Sequence, residues 1–337
     1  MAHSTQQRQP VPPRVLAGQI DHHVTDFTVT AAADISLQSL QDKLAAENQW
    51  LPIDGNPSTP LGELIEQNST GPLRLGYGAW RDLLLGAQFE NKTGEIISAG
   101  GRVMKNVAGY DLTKFMVGQQ KAFGKITTLT ARTYRRPTGA IRITLAPDIT
   151  RITALLATAL RPQWMLLDHE QLHLGYVGNA RTLDFYRAKI NTLEPQSITE
   201  TSLDDDITFR SKMLNRNTGF QPVREPTEVN QSTTAETPTH SARAGSPCYD
   251  NAFRASVPPA RILEFTSQLD NKDWIADPVF GFIRGVTENK ESVRAAAKSA
   301  GGSVQFAGDS PLASYSGSEL NLLARLQNAF GASATIK

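Results

Sequence analysis

Apolar and polar positions alternate through "DFTVTAAA" (26–33), and that period of two predicts a strand. Ser36 then stands ready to cap a helix whose apolar stripe is Leu37, Leu40 and Leu44, the spacing of a half-buried helical face. Both periods break in "LPIDGNPSTPLGELIEQNSTGPLRLGYG" (51–78), where Pro, Gly, Asn and Ser predict a long irregular stretch. Long loops of this kind are uncommon in compact regions, and they are usually functional or disordered. "WRDLLLGAQFE" and "GEIISAGG" predict two strands around the turn "NKTG". In "GGRVMKNVAGYDLTKFMVG" (100–118), Asp111 is placed as an N-cap for a short helix with Leu112, Phe115 and Met116 on its buried side, closed by Gly118. "KITTLTARTYRR" (125–136) alternates and is rich in β-branched residues, so it reads as a strand ended by Pro137.

From about residue 139 strands and helices interleave. "GAIRITLAP" starts a new segment, "DITRITALLATALRPQ" is an amphipathic helix, "WMLLD" and "LHLGYVG" are short strands, and "ARTLDFYRAKINTL" is a second helix. The pattern returns after residue 249 in "AFRASVPPARILEFTSQL", "PVFGFIRGV" and "ESVRAAAKSAGGSVQF". It predicts a small α+β domain on an antiparallel sheet. Between these parts, 219–247 has almost no bulky apolar residue and is expected to be a flexible insertion.

Composition narrows the class. A chain of 337 residues suits two domains, or one with a large appendage. A net charge of +1 gives no electrostatic reason to expect nucleic acid as a partner. The polar, proline-rich start lacks the apolar core of a secretory signal, and no apolar run is long enough to insert in a membrane. The expectation is a cytoplasmic protein that meets a membrane only through partners. A single cysteine, Cys248, excludes an internal disulfide and any cysteine-built metal centre.

Candidate chemistry is sparse. "HEQLH" (169–173) matches a zinc-protease pattern, with His169 and His173 as ligands and Glu170 as base. Its flanks read as a hairpin, however, and in a strand residues four apart lie too far along the chain to share one zinc comfortably. "GQQKAFGK" (118–125) spaces its glycines wrongly for a nucleotide phosphate loop and puts Ile126 where Ser or Thr should hold magnesium. His22 and His23 read as a solvated strand edge, and Asp204, Asp205 and Asp206 as a charged loop. No G-x-S-x-G nucleophile elbow occurs. The glycine-rich stretches 60–86 and 100–124 allow two readings. They form either a backbone cradle for a phosphate-bearing or planar cofactor, or a set of structural turns in which Arg81, Asp82, Lys105 and Asp111 pair or cap.

Taken together, "LPIDGNPSTPLGELIEQNSTGPLRLGYGAWRDLLLG" and "GGRVMKNVAGYDLTKFMVG" resemble the flavin domain of the vanillyl-alcohol oxidase and p-cresol methylhydroxylase (PCMH) superfamily. Within it they are most similar to the glycolate oxidase E-subunit family, to which "KNVAGYDL" is rather specific. The resemblance is clear over 24–137 and continues more weakly through "SVPPAR", "ADPVFGFIRG" and "NLLARLQNAFG". It implies an α+β fold, with a PCMH-type flavin subdomain shortened at its N-terminus and then a small α+β cap with an antiparallel sheet. The implied organisation is a tail (1–20), a partial flavin domain (21–137), a cap (138–218 and 249–337) and an insertion (219–248).

The same resemblance implies FAD as cofactor, a small hydroxy acid such as glycolate as substrate, and two partners, a catalytic flavoprotein subunit and an iron–sulfur subunit. Pro52, Leu61 and Gly62 are implied to lie along the flavin. Asn68, Gly71, Gly76, Tyr77 and Gly78 are implied to shape the neighbouring loop, and Gly118, Gly124 and Ile126 to approach the adenine. Arg81, Asp82, Lys105, Asn106, Gly109, Tyr110 and Asp111 complete the carried-over cofactor positions, with no catalytic residue and no metal assigned. Three departures imply that FAD binding is weakened or lost. The Arg-Gly-Gly-Gly pyrophosphate loop is missing, the family's "LGG" reads "LGE" with Glu63, and its "GSxGTLG" reads "GQQKAFG" with Lys121. The expected activity is that of a non-autonomous oxidoreductase subunit in a multi-subunit 2-hydroxy-acid (glycolate) dehydrogenase. The alternative is a flavin-free structural subunit of such a complex, with a zinc protease as a remote third.

Overall fold

The computed structural model describes residues 16–101, 112–215 and 251–307, with residues 309 and 325. Most of the predicted tail, the 219–248 insertion and the motif residues 102–111 lie outside the described residues. Ile20 already belongs to a strand.

The first half runs β1 (Ile20–His23), β2 (Thr28–Ala32), α1 (Leu37–Ala45), β3 (Gln49–Trp50), α2 (Leu61–Glu66), α3 (Arg74–Tyr77) and α4 (Trp80–Leu83). It continues with β4 (Leu84–Glu90), β5 (Ile96–Gly100), α5 (Leu112–Phe115), β6 (Lys125–Arg132) and β7 (Tyr134–Arg135). Five of its strands form an antiparallel sheet in the order β1-β2-β6-β4-β5, and β3 pairs with β7. Helix α1 forms as its stripe predicts. Ser36 Oγ accepts from the Ser39 N–H, and Leu37, Leu40 and Leu44 pack into one core with Val29, Phe89 and Leu129. Burying one such leucine contributes roughly 1.5–3 kcal/mol.

The second half runs β8 (Gly139–Leu145), α6 (Ile149–Leu156), β9 (Trp164–Leu167), β10 (Leu172–Gly178), α7 (Ala180–Ile190), β11 (Ser197–Thr201) and α8 (Leu203–Asn215). After the gap come β12 (Ala252–Ser256), α9 (Ile262–Thr266), β13 (Trp274–Asp277), β14 (Phe282–Val286), α10 (Lys290–Ser299) and β15 (Ser303–Phe306). Eight strands form one antiparallel sheet in the order β11-β8-β10-β9-β13-β14-β12-β15.

Both faces of this second sheet are covered, and the period of two decides what meets each face. Met165, Leu167, Leu174, Phe253, Ala276 and Ile283 point into the core that also holds residues of α6, α7, α9 and α10. The alternate residues Trp164, Leu166 and Ile275 join Trp50 and Leu73 from the first half, together with Leu203 and Met213 of α8. That apolar seam fastens the two sheets together. Gly175 stands opposite Trp164 on β9, and any Cβ there would collide with the indole, so the glycine of "LHLGYVG" serves ring packing.

Three expectations need correction. Within 51–78, short helices replace part of the irregular stretch, because Leu61, Leu64 and Ile65 recur at helical spacing and are buried. Trp80–Leu83 is a helical turn before the strand, since Asp82 Oδ2 accepts from the Ala79 N–H at 2.9 Å. Asp204, Asp205 and Asp206 form the first turn of α8. Ser202 Oγ accepts from the Asp205 N–H at 3.1 Å, and carboxylates are favoured at a helix N-terminus.

Candidate functional site

The positions implied for the flavin separate into two groups. Pro52, Leu61, Gly62, Gly124 and Ile126 are buried within the first unit. A Cβ on Gly62 would come 2.9 Å from Ala33 Cβ. One on Gly124 (φ +154°) would collide with the Glu90 carbonyl. The Ile126 N–H donates to Glu66 Oε1 at 3.1 Å, and Glu66 is only 4% exposed. Burial raises the Glu66 carboxyl, while this hydrogen bond and Lys121 and Lys125 oppose the rise. Gln119 closes the 119–124 loop, accepting from the Phe123 N–H and donating to the Gly124 carbonyl, both at 2.9 Å.

The second group lies nearer the surface. Asn68 and Gly118 adjoin there, both with positive φ, and the Gly118 N–H donates to the Ile65 carbonyl at 2.9 Å. Gly71 packs against Asp54, and Gly76 against Gln163. Gly78 closes α3 beside Asp82, and Arg81 is exposed. Tyr77 meets Trp50 and Tyr134 edge-on at 5.5 and 5.3 Å, and burial pushes its phenol up to about 12. Lys105, Asn106, Gly109, Tyr110 and Asp111 lie outside the described residues. Glu63 accepts from Gln67 Nε2 at 3.0 Å, and Lys121 is exposed.

The described residues therefore do not enclose an FAD by themselves. The Ile126 N–H is already bonded to Glu66, the side-chain faces of Gly62 and Gly124 are filled by protein, and a cleft of about 200 Å³ against α1 and α8 is lined by none of these positions. Small-molecule pockets usually exceed about 300 Å³.

The charged chemistry instead gathers at the seam. Arg74 reaches from α3 to Asp277 on β13, Nη2 to Oδ2 at 3.0 Å. Its guanidinium carbon lies 4.0 Å from the Phe280 ring centre and 4.4 Å from that of Phe282, rings that are 39% and 40% exposed. Arg254 on β12 stands directly opposite Arg284 on β14. Both alternate with residues of the helix-side core, so they share the seam face. Burial, then Arg254, then Arg74 lower the Arg284 guanidinium to about 10, with Asp277 opposing. Burial raises the Asp277 carboxyl against the pull of Arg74. Like charges paired across strands are destabilising, and perturbed groups collected at one place mark functional sites. Sequence reasoning missed this group. The available signal was arginine at the seam-facing positions of two otherwise apolar strands.

The "HEQLH" residues do sit in a hairpin. His169 Nε2 lies 3.2 Å from Glu170 Oε1 in the turn, whereas His173 on β10 is buried with Nε2 3.1 Å from Asp168 Oδ2. Burial pushes the Asp168 carboxyl up, but hydrogen bonds with His173 and from the Glu170 and Gln171 N–H groups outweigh it and hold the carboxyl at about 2. His22, expected to be solvated, is half-buried with Nε2 3.1 Å from Gln49 Oε1. Among the described residues no group of three or more His, Cys, Asp or Glu is placed to hold a metal. Nor is any helix among them long and apolar enough to cross a membrane.

Comparison with known proteins bears out the resemblance to FAD-linked oxidoreductases, and the relatives are named for the oxidation of small hydroxy acids. Over 130 residues the chain is 31% identical to glycolate oxidase subunit GlcE of Escherichia coli (strain K12), covering 37% of each chain. It is 29% identical over 115 residues to the mitochondrial D-lactate dehydrogenase [cytochrome] of Arabidopsis thaliana, covering 34% of this chain and 20% of that one. It is 31% identical over 118 residues to glycolate oxidase subunit GlcD of Bacillus subtilis (strain 168), covering 34% of this chain and 25% of that one. The chain thus matches well under half the length of each relative. No family model matches the chain.

Proposed function

We propose that the chain is a subunit of a multi-subunit, FAD-linked oxidoreductase acting on a small 2-hydroxy acid such as glycolate. The observation that carries this reading is the similarity of about a third of the chain to each of GlcE, GlcD and a D-lactate dehydrogenase. In this reading residues 21–137 are the flavin-type unit, with 138–218 and 249–337 as the cap. The partners are a catalytic flavoprotein subunit and an iron–sulfur subunit.

The arginine cluster supports the substrate class. Asp277 pairs with Arg74 at 3.0 Å and also opposes the lowering of Arg284. A second carboxylate, brought by a hydroxy acid, suits Arg284, since guanidinium groups bind carboxylates through paired, charge-assisted hydrogen bonds. The exposed Phe280 and Phe282 rings supply apolar cover.

A second reading, a flavin-free subunit that buttresses its partners, is favoured by the Glu66–Ile126 hydrogen bond on the adenine side. Co-expression with candidate partners, followed by visible spectroscopy and glycolate-dependent dye reduction, separates the two. A flavin band on the isolated chain, with activity that requires it, supports the first reading. A colourless chain that co-purifies with a catalytic subunit supports the second. A chain that binds neither flavin nor partner overturns both.

A further inference from the structure

On the seam face of the second sheet, Arg254 stands between Arg284 of β14 and Gln305 of β15, and the next row of that face is Phe282, Ser256 and Ser303. Ala255 and Val304, which alternate with them, turn to the helix-side core. A pocket of about 150 Å³ opens at this corner, lined by Arg254, Ser256, Phe282, Ser303 and Gln305. Among the described residues, none hydrogen-bonds the side chains of Arg284, Ser256, Ser303 or Gln305. Ser303 is exposed and the other three are half-buried, with no unbonded side-chain atom sealed from solvent. Asp277 does not serve Arg284, because its Oδ2 accepts from Arg74 at 3.0 Å and its Oδ1 from the Val279 and Phe280 N–H groups, both at 3.1 Å.

The chemistry of this corner divides in two. Arg284 offers a cation, whereas the pocket beside it offers two hydroxyls and a carboxamide, groups that both donate and accept. No carboxylate is among the described residues of the lining, so an amine finds no counter-charge there. A purely apolar tail would desolvate the hydroxyls and the amide without pairing them. Hydroxyl groups donate and accept in the same way, and the half-exposed Phe282 ring can cover the carbons that carry them. Adjacent strands lie about 5 Å apart, so the pocket residues of β12 stand one short chain's reach from Arg284. We infer that the substrate is a hydroxy acid with a hydroxylated tail, such as glycerate, whose carboxylate meets Arg284 and whose terminal hydroxyl pairs with Ser256 and Gln305. This rests on the reading of Arg284 as the carboxylate site. The pocket holds about five waters' worth of liquid, which suits a short tail.

Calorimetry on the full chain compares glycerate with lactate, which differ only in the hydroxyl on the terminal carbon. Glycerate should bind about tenfold more tightly, the equivalent of one hydrogen bond. In a variant that combines Ser256→Ala with Gln305→Met, the ratio of the two affinities should fall to about one, since the paired hydroxyl is no longer recognised. Arg284→Met should weaken both acids together. Lactate binding as tightly as glycerate to the unaltered chain overturns the hydroxylated tail and leaves the carboxylate reading standing. A ratio that survives the double change takes the pocket out of the site and overturns the inference. Failure of both acids to bind overturns the carboxylate reading, and this inference with it.

Discussion

Arg210 Nε donates to Asp54 Oδ1 at 2.8 Å across 156 residues of sequence, with both side chains buried. Asp54 belongs to the segment implied to run beside the flavin, and Arg210 to the helix that caps the second sheet. At the other end of that segment Arg74 makes the opposite pairing, with its own cation meeting Asp277. A buried and a half-buried ion pair of reversed polarity thus pin residues 54–74 to the second unit.

Removing one partner should therefore be severe. Arg210→Ala leaves Asp54 and Asp206 buried without their cation, and should cost about 3–5 kcal/mol in urea unfolding. Combining Asp54→Asn with Arg210→Met should cost less than the sum of the single changes, because Asp54 then carries no charge that needs the cation and only Asp206 is left without it. A fully additive double mutant would show that the pair does not couple.

The hairpin pair predicts an acid limb in stability. Asp168 is held at about 2, below its ordinary 3.8, so its contribution is complete above 3.8 and fades as pH falls toward 2. A shift of that size corresponds to about 2 kcal/mol. Asp168→Asn should lose about this much at neutral pH and nothing at pH near 2. Chemical denaturation of both proteins across that range checks it.

Replacing Arg284 separates binding from stability. Arg284→Met should weaken glycolate binding at least about tenfold by calorimetry, since it removes a charge-assisted donor. Folding stability should hold or rise by roughly 0.2–1 kcal/mol, because the like-charged pair with Arg254 is relieved. Unchanged glycolate affinity would remove the cluster from the substrate site.

Gly124 and Gly301 form a matched test of backbone and space. Gly301→Ala, at φ +72° with nothing within 4 Å, should cost only the left-handed penalty of roughly 1–2 kcal/mol. Gly124→Ala drives its Cβ onto the Glu90 carbonyl and should cost clearly more, about 3 kcal/mol or above. Thermal melts of the two variants rank them directly.

Local pattern by itself determined much of this protein. The capped helix of Leu37, Leu40 and Leu44, the hairpin around "NKTG", the hairpin that houses "HEQLH" and the antiparallel character of the second half follow from periodicity, caps and turns within a few residues of each other. The family resemblance was legible for the same reason, being carried by contiguous motifs.

Only the tertiary structure decided the long-range partners. Asp206 reads as one of three equivalent aspartates in a loop, until α8 buries it against Arg210 and Trp164. Glu66 reads as a polar helix residue, until β6 brings the Ile126 N–H to it. The arginine cluster joins α3, β12, β13 and β14, whose spacing along the chain carries no record of their register. Burial and charge balance depend on what the fold brings together, and the physical cost of an unpaired group appears only after that meeting.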